Sequence, residues 1–297
     1  MTTLWIFNSN QRCNTKPVIK GQVSHMSKHA LFLRNPWVID SVFMGKIYCA
    51  MLIATLITTY PFVFSLRNWS EPRFDAVFMS LMILGPSIFL PFILYRIRYI
   101  KGLSTVCFNR STRKIYYKRF RKLFIFDWDK TAGGLMQRTE FGGSSFSTMY
   151  SLAFAPYRED GTLHQKDCLW IDSNEPTESD VQYVAEVWEY LRQFMDHGPD
   201  NLPPPGPANW WHKPLHAICL TPAEAWRHYA PWRTGEPGEM QGKKNWQLPF
   251  WAVLFPYNLT VAICWYGVCK LFNVKAAPPP PEALEELSTP KKGGRMK

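Results

Sequence analysis

Several short patterns are missing from this 297-residue sequence, and each absence removes a function class. There is no G-x-x-x-x-G-K-[ST] phosphate loop, so a P-loop nucleotide site is not expected. G-x-S-x-G and H-E-x-x-H are also missing, which leaves neither a nucleophile elbow nor a helical zinc-protease pair. The seven cysteines (Cys13, Cys49, Cys107, Cys168, Cys219, Cys264, Cys269) are scattered, odd in number and include no C-x-x-C pair. That usage fits reduced thiols in a cytoplasmic and membrane protein better than a disulfide framework. No stretch supplies a nucleophile with a base, or an acid paired with a base, so the expectation is a protein that is not an enzyme and needs no cofactor or metal. Residues 1–40 mix polar and basic groups and begin no apolar h-region with a small-residue cleavage site, so no secretory signal is read there.

Charge is missing in long runs. Residues 47–66, "IYCAMLIATLITTYPFVFSL", and 76–95, "AVFMSLMILGPSIFLPFILY", each hold twenty residues without an Asp, Glu, Lys or Arg. At 1.5 Å rise per residue each is about as long as a bilayer core, longer than the usual apolar run of a buried globular helix. Pro61, Pro86 and Pro91 lie inside them, which membrane helices tolerate. Arg12, Lys16, Lys20, Lys28, Arg34 and Lys46 precede the first run. Between the runs Arg67 and Arg73 are balanced by Glu71 and Asp75, and Arg96, Arg98 and Lys101 follow the second. The positive-inside rule then makes the N-terminus and the central region cytoplasmic, with 67–75 as a short external loop. A third uncharged run, 245–269, is interrupted by Pro249, Pro256 and Asn258. It is read as a third span in preference to a re-entrant or interfacial segment, with Trp246, Trp251, Trp265 and Tyr266 as anchors, which would put the Pro-rich tail outside.

After the second run the period changes. "TVCFN", "KIYYKR" and "LFIFDW" are rich in β-formers and joined by tight polar links, predicting a meander. "SSFSTMYSLAFAPY" and "KDCLWIDS" read as further strands, turned by "REDGT". Thr177 and Asp180 form an [ST]-x-x-[DE] box before an apolar stripe of Val181, Val184, Trp188, Leu191 and Met195, which predicts a helix ended by Gly198 and Pro199. The expected fold is a membrane protein of the α+β class: a transmembrane helical hairpin, a small antiparallel β domain with a C-terminal amphipathic helix, and a third transmembrane helix. Strands followed by one helix is the order of elements in pleckstrin-homology-like domains, an analogy of fold that carries no function. The segments read as 1–40, cytoplasmic; 41–101, membrane hairpin; 102–198, β domain; 199–244, Pro-rich linker with a helix capped at Thr221-Pro222-Ala223-Glu224; 245–272, third span; and 273–297, disordered tail.

From Arg96 to Lys122 there is no acid and ten basic residues: Arg96, Arg98, Lys101, Arg110, Arg113, Lys114, Lys118, Arg119, Arg121 and Lys122. Interleaved with Tyr116, Tyr117 and Phe120 such a stretch could bind nucleic acid. It starts, however, at the mouth of an apolar run, where anionic headgroups are the nearest polyanion and each basic residue is worth about 1 kcal/mol. These ten are therefore the candidate lipid- or partner-binding residues, and nucleic acid is not expected. Asp127 and Asp129, two apart, would share one face of a strand and could hold a divalent metal for a nucleotide-sugar, as in a glycosyltransferase; the bland and preferred reading packs Trp128 inward and turns both carboxylates to solvent or a nearby Arg. His212, His216 and Cys219 have metal-like spacing with His228 near, but Pro214 breaks a shared helix and no second ligand pair follows, so a packing role is preferred.

Two apolar runs, a β-rich segment opening with "FNRSTRKIYYKR", the "FDWD" after it and a closing amphipathic helix together resemble an uncharacterised family of proteobacterial membrane proteins, over about residues 30–200. The resemblance implies a bacterial inner-membrane location and an association with type VI secretion loci. By the same resemblance, the chain would be an immunity or accessory protein that recognises a secreted toxin or secretion component. The family offers no catalytic residues to carry over. A membrane-anchored regulator reading anionic lipid through Arg110, Arg113, Lys114, Lys118 and Arg119 is the alternative, and homo-oligomerisation stays open.

Overall fold

The computed structural model describes residues 2–66, 85, 87–141, 146–158, 160–163, 168–171, 181–207, 210, 213–236, 238–239 and 248–288. The expected external loop 67–75, the cap of Thr177 and Asp180, and half of the 76–95 run lie outside the described residues. The chain divides into two compact units: a β unit (Met1–Pro36, Gly102–His212 and Ala277–Lys297) and a helical unit (Trp37–Lys101 and Lys213–Ala276).

Among the described residues the β unit has nine strands in two sheets. One sheet runs in the order β1 (Thr2–Asn8), β7 (Thr131–Phe141), β8 (Phe146–Pro156), β9 (Leu169–Ile171). The other runs β2 (Val23–Met26), β3 (Ala30–Leu33), β4 (Val106–Asn109), β5 (Lys114–Arg119), β6 (Lys122–Asp127). The expected meander is β4, β5 and β6, antiparallel throughout. The β unit is larger than the expected 102–198 segment, because two sheets recruit strands from the N-terminus. β3 lies between β2 and β4, and all four of its residues are buried. β1 pairs with β7, more than a hundred residues on.

Helix α3 (Val181–His197) packs on β7 and β8. Val184, Val187, Trp188, Leu191 and Met195 recur at helical spacing and are buried, while Val181, also counted in the stripe, is exposed. The helix stops where Gly198 turns to φ +84° and donates its N–H to the Phe194 carbonyl, a left-handed end that glycine adopts without penalty. Trp188 is the hub of the core: its ring stacks 5.1 Å from Trp128 and 5.6 Å from Phe7, and lies 5.9 Å from Phe154. Gly133 makes room for it, since a Cβ there would sit 2.5 Å from the indole. Tyr183 and Tyr190 extend the fit outward: Tyr183 accepts the Lys20 N–H and donates to Gln22, and Tyr190 donates to the Pro203 carbonyl, seating part of the Pro-rich linker.

The tail differs from expectation. Residues 281–288 form helix α7 (Pro281–Ser288), whose Ala283 packs with Ala30, Phe32, Cys107 and Tyr116 on one face of the five-stranded sheet. Ser104 bridges Ala277, and Asn109 donates its side-chain amide to the Ala283 carbonyl. A Pro-rich approach and three glutamates make this segment look disordered, but a single small apolar face is enough to seat it on a sheet.

The helical unit holds α1 (Pro36–Leu66), α2 (Phe89–Gly102), the short α4 (Lys213–His216), α5 (Pro222–Tyr229) and α6 (Leu248–Leu271). Among the described residues, two of its helices are long and apolar enough to cross a membrane, over Pro36–Thr59 and Pro249–Leu271. Val42 and Cys49 of α1, Ile93, Ile97 and Ile100 of α2 and Trp265 and Cys269 of α6 form its core. Gly45 lets the Trp265 ring lie against α1, and the indole N–H donates to the Ile218 carbonyl at 2.7 Å. α5 begins as expected: Thr221 accepts from Glu224 N–H while the Glu224 carboxylate accepts from Thr221 N–H, and Pro222 takes the first position. The helix then packs along α6 through Ala225, Leu220 and Ala262.

Candidate functional site

The basic stretch does not stay together as one surface. Within the helical unit, Arg96 is tied to Asp40 of α1 at 2.9 Å and lies over the Tyr95 ring, Lys101 donates to the Phe272 carbonyl just past α6 at 2.6 Å, and Arg98 is exposed. The first two of these fasten helices to one another.

Within the β unit the β4–β5 turn consumes two more. Asn109 accepts the Thr112 N–H with its side-chain oxygen, and Arg113 follows at φ +52°. That conformation sends the Arg113 guanidinium to both oxygens of Asp129, at 2.6 to 3.1 Å, and to Asp196 and the Met195 carbonyl at 3.3 Å. Arg113 is therefore a structural clamp between the turn and the end of α3, not a free ligand for headgroups. Its partner explains Asp129 as well. Asp127 ends β6 opposite Lys114, and Asp129 lies in a single 3-10 turn, Trp128–Lys130, with Trp128 fully buried between them. The two carboxylates point apart in role, and the inward-packed Trp128 of the bland reading is what the fold adopts. Arg110 lies against Gly198, where a Cβ would meet its guanidinium at 2.7 Å.

Beneath the clamp runs an ion network that the residue pattern did not single out. Arg192 bonds Glu189 at 2.7 and 2.9 Å and Asp196 at 2.7 Å, and Glu189 also accepts from Gln193 and from the Cys13 backbone N–H. The i,i+3 spacing of Glu189 and Arg192 was the available signal. Burial alone would raise the Glu189 carboxyl, but the hydrogen bonds from Arg192, Gln193 and Cys13 outweigh it, and the group ends below its ordinary value. The Arg113 hydrogen bonds likewise hold the Asp129 carboxyl down.

Lys114 opens β5 at the far end of the ladder, opposite Asp127, and the remaining four basic side chains, Lys118, Arg119, Arg121 and Lys122, gather at the tip of the β5–β6 hairpin. Its two-residue turn, Phe120 and Arg121, puts Phe120 at φ +55° and joins Arg119 to its cross-strand partner Lys122. Arg119, Arg121 and Lys122 are exposed, Lys118 is half-buried, and Lys122 lies 4.4 Å from the Phe124 ring centre. Two cations directly opposite on a ladder repel one another, so this tip is suited to an anion. Phe120 donates its N–H to the Gly102 carbonyl and rests its ring on Gly102, while Leu103 bridges Arg119.

Among the described residues no three His, Cys, Asp or Glu side chains are placed to hold a metal. His216 ends α4, His228 is buried in α5, and His212 lies outside the described residues. The ion network sets the pH response. Two carboxylates with depressed folded-state values contribute stability above the ordinary carboxylate range and lose it as pH falls below about 4, so denaturation midpoints should be flat near neutrality and drop in acid. Glu189→Gln should cost about 3 kcal/mol in chemical denaturation at pH 7, because Arg192 is left buried beside a neutral amide, and should flatten the acid limb.

The profile of a family described only as one of unknown function, DUF6708, matches residues 82–286. The match includes α2, the strands from β4 onward, α3 and the whole α4–α6 segment, so it extends well past the part of the chain that carried the resemblance to membrane proteins. No curated protein and no solved structure matches the chain. With well over half of its residues covered, the chain belongs to the DUF6708 family of unknown function.

Proposed function

We propose that this chain is a non-enzymatic binding protein of the bacterial inner membrane, with its β unit on the cytoplasmic side and the β5–β6 tip docked on anionic headgroups. The observation that carries this reading is the tip itself. Arg119 and Lys122 face one another in register with Arg121 between them, and Phe120 fastens this group to Gly102, the residue that ends α2. The uncharged run ends at Tyr95, seven residues before Gly102, so the chain from Arg96 onward would lie near headgroup level if the run leaves a bilayer there, and each cation would contribute about 1 kcal/mol.

Connectivity supports a revision of the third span. The chain leaves the β unit after Pro36 and returns at Gly102, then leaves after His212 and returns at Ala277. On this reading both excursions begin and end on the side that the β unit occupies. Among the described residues the second contains one long apolar helix, α6, and its outgoing arm includes α5, whose Glu224 and Arg227 are exposed. We read 213–276 as a re-entrant or interfacial hairpin with α6 as its returning arm, and the tail as cytoplasmic with the β unit. The irregular backbone this requires is partly satisfied by side chains, with Lys46 on the Pro214 carbonyl and Trp265 on that of Ile218.

A second reading adds a protein partner. The resemblance to membrane proteins of type VI secretion loci suggests immunity or accessory function toward a secreted toxin or secretion component. β6 is the edge of its sheet, with Ile125 exposed and Leu123 and Phe124 half-buried, an edge able to accept a strand.

Three measurements test these points. In nanodiscs containing phosphatidylglycerol, amide exchange over residues 118–123 of the full chain should be slower than in phosphatidylcholine discs, less so at high salt, and the Arg119→Glu/Lys122→Glu variant should lose the difference; equal exchange in both lipids would sink the docking claim. Tags placed before Met1 and after Lys297 should be accessible from the same side of sealed vesicles, whereas opposite sides would restore a simple third span. Co-purification from native membranes should recover a stoichiometric protein that Ile125→Lys loses; a loss-free result removes β6 as the partner surface.

A further inference from the structure

The five-stranded sheet ends in β6, whose outer side has no strand beside it. The two-residue turn makes Arg119 and Lys122 a hydrogen-bonded pair, the only kind of ladder pair that can close so tight a loop. Bonded and non-bonded pairs alternate in an antiparallel ladder, so Lys122, Phe124 and Phe126 turn their N–H and C=O groups to β5 while Leu123, Ile125 and Asp127 turn theirs outward. The side chains leave this edge open as well. Ile125 is 48% exposed and Leu123 half-buried, with exposed Arg121 at one end and exposed Asp127 at the other. Edges that resist pairing carry a charge, a proline or a bulge in mid-strand, whereas the charges of β6 are confined to its ends and differ in sign.

We propose that β6 pairs antiparallel with β6 of a second copy of this chain, with Arg121 of each copy facing Asp127 of the other. This rests on the reading of β6 as a strand-accepting edge and gives that edge a definite occupant. Directly opposed residues share a face of the sheet, so a two-fold axis through such a ladder must pass between a residue and its own copy. Three centres are available. Ile125 at the axis sets Leu123 against Asp127, an apolar group against an acid, and Leu123 at the axis leaves Asp127 beyond the turn. Phe124 at the axis satisfies every position: Leu123 faces Ile125 twice through four outward hydrogen bonds, Arg121 faces Asp127 twice, and the two Phe124 rings, each already stacked on its own Tyr117, meet at the closer spacing of a non-bonded pair. The two basic tips then lie at opposite ends of the ladder, so cations meet acids and not each other. Ile125 lies opposite Tyr116, so the Leu123–Ile125 cluster extends the face that Ala283 covers there, and two five-stranded sheets become one. The axis runs perpendicular to the sheet. Set along a bilayer normal, it keeps both tips at one depth, which makes this pairing compatible with headgroup docking through Arg119 and Lys122.

The test co-expresses full-length chains carrying two different tags and extracts them gently from membranes; pulling on one tag should recover the other. Arg121→Asp or Asp127→Arg, introduced in both chains, turns two opposite-charge pairs into two like-charge ones and should lower that recovery about tenfold. The double variant Arg121→Asp/Asp127→Arg exchanges the signs, restores both pairs and should bring the recovery back, a rescue that only a self-pairing edge can show. Register is read separately. Under mild oxidation, chains with Leu123→Cys should link to chains with Ile125→Cys through these two positions, identified by mass spectrometry of the linked peptides, and neither should link to itself there. Native chains whose tags never recover each other would overturn the proposal. So would an Ile125→Cys chain that links to its own kind in place of the mixed product, or a double variant that stays unpaired while its circular dichroism matches the native chain. Recovery of a different protein through β6, with no second copy, overturns it too and leaves the reading of β6 as a strand-accepting edge standing.

Discussion

The antiparallel pairing of β3 with β4 is the constraint on which the architecture depends. Leu33 lies opposite Val106 and Ala30 opposite Asn109, yet α1 and α2 are inserted between the two strands. The central ladder of the five-stranded sheet therefore cannot form until the first apolar excursion has returned to its starting point. Fixing both ends of that excursion in one sheet also fixes where β5 and β6 can lie, and so where the basic tip is presented. Loop closure of this length costs little more entropy than a shorter one, and β3 and β4, buried along their full length, offset it with apolar contacts.

Local signals were readable where partners are close in sequence. The meander of β4, β5 and β6 follows from alternating β-formers and polar turns, α3 from its apolar stripe and terminal glycine, and α5 from the Thr221-Pro222-Ala223-Glu224 cap, whose two hydrogen bonds are both made. Long-range pairings were not readable. β1 has no meaning without β7, and β3, only four residues long, resembles a fragment of the apolar segment that follows it. α7 was hidden by composition, since proline and glutamate dominate a segment whose docking depends on little more than Ala283.

The candidate site shows the same limit. Counting charge found the basic stretch but could not divide it. Arg113 differs from Arg119 because its acids come from positions 16 and 83 residues away, and no window of sequence contains both. Only the two-residue turn at Phe120 and Arg121, with a cation on either side, leaves its charges together and exposed. The acidic residues missing between Arg96 and Lys122 are supplied by Asp40, Asp129 and Asp196 from elsewhere in the fold.

Helix α7 makes one of its sheet's last contacts in order of synthesis. Ala283 covers Cys107 and Tyr116 only after α6 has been made. Until then one apolar face of the five-stranded sheet stays open, available to chaperones and proteases. A chain that fails to bring α6 back never closes it. Helix α7 thus doubles as a seal that separates molecules whose second excursion has returned to the sheet from those in which it has not.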